Sequence, residues 1–174
     1  MSIVIRQAGT GDARRLAAVG QATFLETFAG ILAGDDILAH CANQHSVELY
    51  EGWLKKPDVG LWLAEAAGAA PVGYAVLAPP DLPVADPGPG DVEIKRIYLL
   101  HRFQGGGVGL QLMAAALEAA RAAAKSRALL GVYGKNERAI AFYEKVGFRQ
   151  IGERRFQVGS GWYDDIVLAR PLRD

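Results

Sequence analysis

Apolar and polar residues alternate from Ile3 to Gln7, a two-residue period that predicts a first strand. The period then lengthens. Leu16, Val19, Thr23, Phe24, Thr27 and Phe28 recur at three- and four-residue steps behind Thr10-Gly11-Asp12. This predicts an amphipathic helix of about four turns, with Thr10 or Asp12 as cap and Gly30 at its end. A second helical stretch is expected from Asp35 to Lys56, with a break near Asn43–Ser46, where helix propensity is poor. Asp35 or Asp36 suits its start, Lys55 and Lys56 its negative end, and Pro57 stops it. Gly60–Glu65 and Val72–Ala78 read as two antiparallel strands around a short turn. Pro79 to Gly90 carries five prolines and two glycines and reads as a loop.

Asp91 to Leu100 is again strand-like. Gly105-Gly106-Gly107 interrupts it, and a helix rich in Ala and Leu is expected from Val108 to Lys125, with Leu110, Met113, Leu117 and Ala120 on its core face. A strand at Ala128–Tyr133 and a helix at Glu137–Val146, closed by Gly147, follow. The last two strands are expected at Phe148–Arg155 and Asp165–Ala169, with Gly159-Ser160-Gly161 as the hairpin turn. Strand, helix, strand, helix in the middle of the chain implies a parallel pair within a larger mixed sheet, an α/β (α+β) architecture. Residues 1–174 are read as a single domain, a length that buries roughly 70% of the unfolded surface.

Composition narrows the partners. Nineteen Lys and Arg balance nineteen Asp and Glu, and this zero net charge argues against a general nucleic-acid or membrane-surface binder. No apolar run approaches the ~20 residues that span a bilayer, and the short N-terminal apolar run is no signal peptide. The single cysteine, Cys41, excludes an intramolecular disulfide framework. The expected setting is cytoplasmic, with no membrane and no nucleic-acid partner. A homodimer is left open.

The informative segment is Gln104-Gly105-Gly106-Gly107-Val108-Gly109-Leu110, between a strand and a long helix. Glycines at a helix N-terminus free several amides to face one concavity, which favours an anion, most often phosphate; the alternative is a flexible turn with no ligand. Neither the P-loop pattern nor the dinucleotide G-x-G-x-x-G fits these residues. The segment does match Q/R-x-x-G-x-G/A, and Asn136-Glu137-Arg138-Ala139-Ile140-Ala141-Phe142-Tyr143-Glu144-Lys145-Val146-Gly147-Phe148 matches N-x-x-A-x-x-F/L-Y-x-x-x-G-F downstream. On these two blocks the chain resembles the GCN5-related N-acetyltransferase (GNAT) family. Glu93-Ile94-Lys95-Arg96-Ile97-Tyr98, Phe103-Gln104 and Ala139–Tyr143 further resemble bacterial acetyltransferases of the spermidine/spermine-acetylating kind, and Phe24, Thr27 and Phe28 fit that group.

The resemblance implies a GNAT fold: a central mixed, mostly antiparallel sheet of about seven strands, splayed at strands 4 and 5 and flanked by about four helices. It implies acetyl-CoA as cosubstrate, no metal, and acetyl transfer to a primary amine, either a small amine or a polyamine. The alternatives are a protein or peptide N-acetyltransferase and a coenzyme-binding sensor without turnover. By the same resemblance, residues Gln104 to Leu110 hold the pyrophosphate, and the backbone of Ile97, Tyr98 and Leu99 lies at a bulge that contacts the thioester. Asn136, Phe142, Tyr143 and Lys145 add coenzyme contacts.

The chemistry sets its own demands. An alkyl amine of pKa near ~10.4 is neutral in only about 1 in 2,500 molecules at pH 7, a deficit of roughly 4.6 kcal/mol that a general base would offset. Glu93 is the candidate base, since a lone carboxylate in an apolar strand is costly unless used or paired; its alternative is a surface carboxylate beside Lys95. The resemblance places the Tyr143 hydroxyl near the sulfur of coenzyme A and so makes Tyr143 the candidate acid, or a hydrogen-bond donor to the leaving thiolate, with a core aromatic as alternative. Asp91, Asp164 and Asp165 are weaker candidates. Phe24 and Phe28, one helical turn apart, are candidates for flanking the acceptor, and equally for the core; Glu26, Glu93, Asp164 and Asp165 would hold ammonium groups if folding gathers them. His40, Cys41, His45 and Glu48 lie close in sequence but supply no metal site with a partner cluster.

Overall fold

The computed structural model describes residues 2–173. Strand β1 covers Val4–Gln7 and helix α1 Ala13–Phe28, entered through a 3-10 turn at Thr10–Asp12. The expected second helix is present as two, α2 (Gly34–Gln44) and α3 (Val47–Leu54). They part where propensity fails, and the Ser46 hydroxyl accepts from the Leu49 amide at 3.1 Å to cap α3. Next come β2 (Gly60–Ala66), β3 (Ala70–Ala78), the proline-rich loop, β4 (Asp91–Leu99), α4 (Val108–Ala122), β5 (Arg127–Tyr133) and α5 (Glu137–Lys145). The chain closes with β6 (Arg149–Val158) and β7 (Gly161–Pro171) around Gly159, whose φ of +57° suits the tight turn. β7 is longer than Asp165–Ala169 because β6 pairs with it from Gly161 onward, through Tyr163 and Asp164, and β5 joins its other edge from Asp165.

The seven strands form one sheet in the order β1-β2-β3-β4-β5-β7-β6, antiparallel everywhere except between β4 and β5. One face is covered by α4 and α5. There Leu112, Met113, Ala116 and Leu117 pack on Val92, Ile94, Leu130 and Leu168. On the other face, Leu16, Ala17 and Val19 of α1 meet Leu63, Tyr74 and Val76, with Tyr50 of α3 sealed among them. Gly20 makes this approach feasible, because a Cβ there would come within 2.7 Å of the Tyr50 hydroxyl. α1 is thereby pressed against the junction of α2 and α3.

The free edge at β1 is tied to α1 by one arginine. Arg6 makes paired hydrogen bonds to Asp12 (2.8 and 2.9 Å) and to Glu65 on β2 (2.8 and 2.9 Å). Both carboxylates are 7% exposed, so each depends on the guanidinium fork for its charge balance. The hydrogen bond from Arg6 holds the Asp12 carboxyl down at about 2, from an ordinary 3.8. A depressed carboxyl stabilises the fold above its unfolded pKa, and that contribution is lost as pH falls from about 3.8 toward about 2. Arg6→Met leaves the two buried carboxylates only the longer contacts from Arg15, at 3.5 and 3.6 Å, and should lower the unfolding free energy by about 2 kcal/mol. Denaturant titrations at pH 7 and across this acid window check it: the variant should be less stable at pH 7 and lose less stability on acidification.

Candidate active site

The sheet opens at its one parallel junction. β4 and β5 share only the register pairs Asp91–Arg127, Val92–Ala128 and Glu93–Leu129, and then part. The vertex is clamped by a bidentate ion pair, Arg127 to Asp91 at 2.8 Å on both arms, which commits Asp91 to structure. Just past the vertex the β3–β4 register slips and leaves Lys95 as the bulged residue. Beyond it, Leu100 N–H donates to Val72 at 2.9 Å, which fixes the alternation of the β3–β4 ladder. Tyr98 and Arg96 turn their amides to β3, whereas Ile97 and Leu99 turn theirs into the gap. Tyr98 therefore spends its backbone on β3, which narrows the expected Ile97–Leu99 backbone contact to the amides of Ile97 and Leu99. The Leu99 carbonyl, also facing away from β3, accepts from the Gln104 side chain at 2.9 Å.

That bond anchors the glycine turn at the open end of the gap. Gly105 and Gly107 have φ of +85° and +82°, and Gly107 caps α4 in the left-handed region. The Gln111 amide is the first in the segment to find a helical carbonyl, that of Gly107 at 3.1 Å. The amides from Gly105 to Leu110 precede it at the positive end of a 15-residue helix. Gly106 is informative for what it lacks: its φ is ordinary, and a Cβ on it would meet nothing within 4 Å. Neither backbone conformation nor packing therefore requires glycine at this position. Val108 anchors the turn in the core, Leu110 is exposed, and a Cβ on Gly109 would touch the Phe142 ring at 3.6 Å.

On α5, the Asn136 side chain is engaged as the helix cap, accepting from Ala139 at 3.2 Å. Lys145 is exposed and lines, with Leu110, Met113 and Arg170, a shallow recess of about 450 Å³ between α4 and α5. Tyr143 is buried between Phe142 and Phe148, with ring centroids 5.4 and 6.2 Å away. Burial pushes its phenol up, and nearby Tyr98 adds to the shift, so Tyr143 stays protonated at neutral pH.

Glu93 is 3% exposed and lies on the α1 side of the sheet, opposite in orientation to Val92 and Ile94. One of its oxygens accepts from the Asp81 amide at 3.0 Å. Burial raises its pKa, with the Asp81 hydrogen bond and the Lys95 charge acting against the rise. Lys95 is itself bound to Asp81 at 2.7 Å. On β7, Asp165 is also buried and raised by desolvation, and Arg154 on β6 holds it at 3.2 Å. The sheet register sets Tyr133, Asp165 and Arg154 side by side.

An aromatic wall faces these groups from α1 and α2. Phe24 is sealed, stacked on His40 (4.1 Å) and tilted against Phe28 (4.6 Å), whereas Phe28 is half-buried and meets Tyr133 edge-on. Phe24 is thus core and Phe28 lining. The four carboxylates expected to gather around an ammonium are not all available. Glu26 accepts from the His101 amide at 2.9 Å, Asp165 is paired, and Asp164 is exposed. His45 is committed to the Tyr50 hydroxyl at 2.9 Å, and among the described residues no three His, Cys, Asp or Glu side chains form a metal-binding group. Asp81, Arg154 and Arg96 escaped the sequence reading because nothing in their local pattern marks them; only the fold brings them to the gap.

The sheet thus parts at a parallel pair, with a glycine turn at the mouth of the gap. Residues 28–148 match the acetyltransferase (GNAT) family, and the chain belongs to it: the protein is an N-acetyltransferase. It is 34% identical over 161 residues to an uncharacterized N-acetyltransferase of Mycobacterium tuberculosis, covering 92% of this chain and 98% of that one. It is 29% identical over 170 residues to an uncharacterized N-acetyltransferase of Lactobacillus delbrueckii subsp. lactis, covering 98% of each. Among solved structures, the fold is shared with the PaiA N-acetyltransferase of Thermoplasma acidophilum, solved in complex with coenzyme A, at a TM-score of 0.79 and 22% identity over 98% of this chain and 99% of that one. No helix of the described residues is long and apolar enough to cross a membrane.

The glycines of the turn separate by role. Gly107→Ala forces a side chain into the left-handed region and should cost about 1 kcal/mol or slightly more. Gly106→Ala should change stability by less than about 0.5 kcal/mol. Denaturant unfolding of the two variants checks the contrast.

Proposed function

We propose that this N-acetyltransferase moves the acetyl group of acetyl-CoA to the primary amine of a small molecule, by direct attack in the gap between β4 and β5. The observation that carries this reading is the alignment of unpaired backbone donors. The Ile97 and Leu99 amides face away from β3, and the Gly105–Leu110 amides follow them along the chain at the N-terminus of α4. In this reading the amides of Gly105 to Leu110 hold the pyrophosphate, with Gln104 fixing the turn. Ile97 and Leu99 pair with the pantetheine arm as an added strand would, and Phe142 and Lys145 flank the nucleotide end. The cosubstrate supplies an activated acetyl thioester.

The protein's own groups manage protons and position. Glu93, ionised, takes a proton from the incoming ammonium directly or through one water. Its raised pKa brings it closer to its task and puts the acid limb of the rate above the ordinary carboxylate range. Tyr143 remains a phenol at working pH and donates to the developing thiolate. Phe28, Tyr133 and Tyr98 give the acceptor apolar walls that exclude water. Asp165 is a second buried carboxylate with a raised pKa in the same gap, and that observation makes it the competing base.

Thiol release from acetyl-CoA, measured with a panel of amines, amino acids, spermidine and peptides, tests the reading. Gly106→Val should weaken acetyl-CoA binding by calorimetry at least tenfold without loss of stability. Tyr143→Phe should keep coenzyme affinity and lower kcat by about 10². Glu93→Gln should lower kcat by a similar factor and flatten the acid limb, because activity needs the ionised form and falls as pH drops through its pKa. If Asp165→Asn flattens that limb and Glu93→Gln leaves it, the base is Asp165. Acetylation of peptides with no turnover of any free amine would replace the small-molecule acceptor by a protein.

A further inference from the structure

Arg96 stands out among the cations on the acceptor side of the sheet. Lys95 is bound to Asp81 at 2.7 Å and Arg154 to Asp165 at 3.2 Å, so both charges are answered within the protein. Among the described residues no carboxylate comes within ion-pair distance of Arg96. Its surroundings are neutral. Nη1 makes all of its hydrogen bonds: to the Gln44 carbonyl at 2.6 Å, to the Tyr50 hydroxyl at 2.9 Å and to His45 Nδ1 at 3.3 Å. Burial, with the Arg96 charge adding to it, holds His40 down to about 4 and His45 to about 3, so neither imidazole supplies charge at neutral pH.

The guanidinium is also held in place. It lies 4.8 Å from the Trp53 ring centroid and 5.7 Å from that of Tyr50. Three bonds on one nitrogen fix its orientation and leave Nε and Nη2 unengaged, the edge that forks onto a carboxylate. The group is half-buried, hence reachable and partly desolvated. Arg96 and Tyr98 are two residues apart on one strand beyond the bulge, so their side chains share a face about 6.6 Å apart at the backbone. The guanidinium thus lies on the α1 face of the sheet, the face of Tyr98 and Glu93, against Gln44, His45, Tyr50 and Trp53.

We propose that Arg96 is a specificity-determining residue and that the acceptor is a primary amine that also carries a carboxylate, bound by the free fork of Arg96 while its amine reaches the gap. This rests on the small-amine reading above and refines it. A polyamine would bring a second ammonium toward an unanswered positive charge, so the same geometry disfavours it.

Matched pairs isolate the carboxylate. The ω-aminocarboxylates from glycine to 6-aminohexanoate would each be compared with the corresponding primary amide, in thiol-release kinetics and in calorimetric binding to the enzyme loaded with coenzyme A. In the wild type at least one carboxylate should exceed its amide by tenfold or more in kcat/KM, chiefly through KM; tenfold corresponds to about 1.4 kcal/mol. Arg96→Gln should bring that ratio close to one, and Arg96→Lys should retain part of it. The ratio is read within one variant, so a loss of folded protein does not move it. Acetyl-CoA affinity and thermal unfolding of each variant register the structural share of Arg96. A ratio near one in the wild type, or one that survives in Arg96→Gln, overturns the assignment and leaves the acetyl-transfer reading standing. Turnover of spermidine well above every aminocarboxylate also overturns it. Absence of turnover with every free amine, while acetyl-CoA still binds, overturns the small-amine reading and this inference together.

Discussion

The short parallel pairing of β4 with β5 is the constraint from which the rest follows. Backbone amides inside a protein must find partners, and a sheet that parts after Glu93 and Leu129 leaves a row of them facing each other across a gap. The fold keeps that gap open from both ends. The Asp91–Arg127 fork closes the vertex, the bulge at Lys95 redirects β4, and Gln104 takes the Leu99 carbonyl that a continuing neighbour strand would have used. The glycine turn then sits where the gap meets solvent. In the proposed reading, β4 supplies the donors for the extended arm of the cosubstrate and the turn that follows supplies those for its phosphates.

The gap is chemically biased by burial. Glu93 and Asp165 are pushed up and Tyr143 is pushed further from ionising, because charge is disfavoured where water is excluded. The same exclusion strengthens every remaining electrostatic contact. Carboxylates and cations on this side answer one another in local pairs, Lys95 with Asp81 and Arg154 with Asp165. The unpaired Arg96 is the exception, held on the same face of the sheet against His45, Tyr50 and Trp53.

Position is supplied by elements that do no chemistry. Gly20 lets α1 close on Tyr50, and Tyr50 in turn orients Arg96 and His45. Arg6 ties β1, α1 and β2 together at the far edge. The phenylalanine pair on α1 divides in the same way: Phe24 supports the wall from within the core, and Phe28 faces the opening.

The order of elements was legible because hydrophobic period, prolines and glycines are local signals. The change from period two to period three or four located α1, the proline cluster located the long loop, and the break between α2 and α3 followed from Asn43 to Ser46. Short motifs also marked the nest at Gln104–Leu110 and the helix of Tyr143, since glycine is needed where φ is positive and an aromatic block is needed where a helix packs on the sheet. The length of β7 was not legible, because its first residues are held in the strand by pairing with β6 across the hairpin. Nor was the loss of Tyr98 as a backbone donor, which depends on which edge of β4 the alternation selects. Side chains whose meaning lies in long-range pairing stayed hidden: Asp81 reaches Glu93 across the loop, Arg154 meets Asp165 across a hairpin, and Arg96 matters through the partner it lacks. Sequence alone determined the order of elements and marked the glycine turn, whose requirements are local. Tertiary structure decided which carboxylates are free, which amides face the gap and which charge is left unanswered, because each of these depends on what packs opposite.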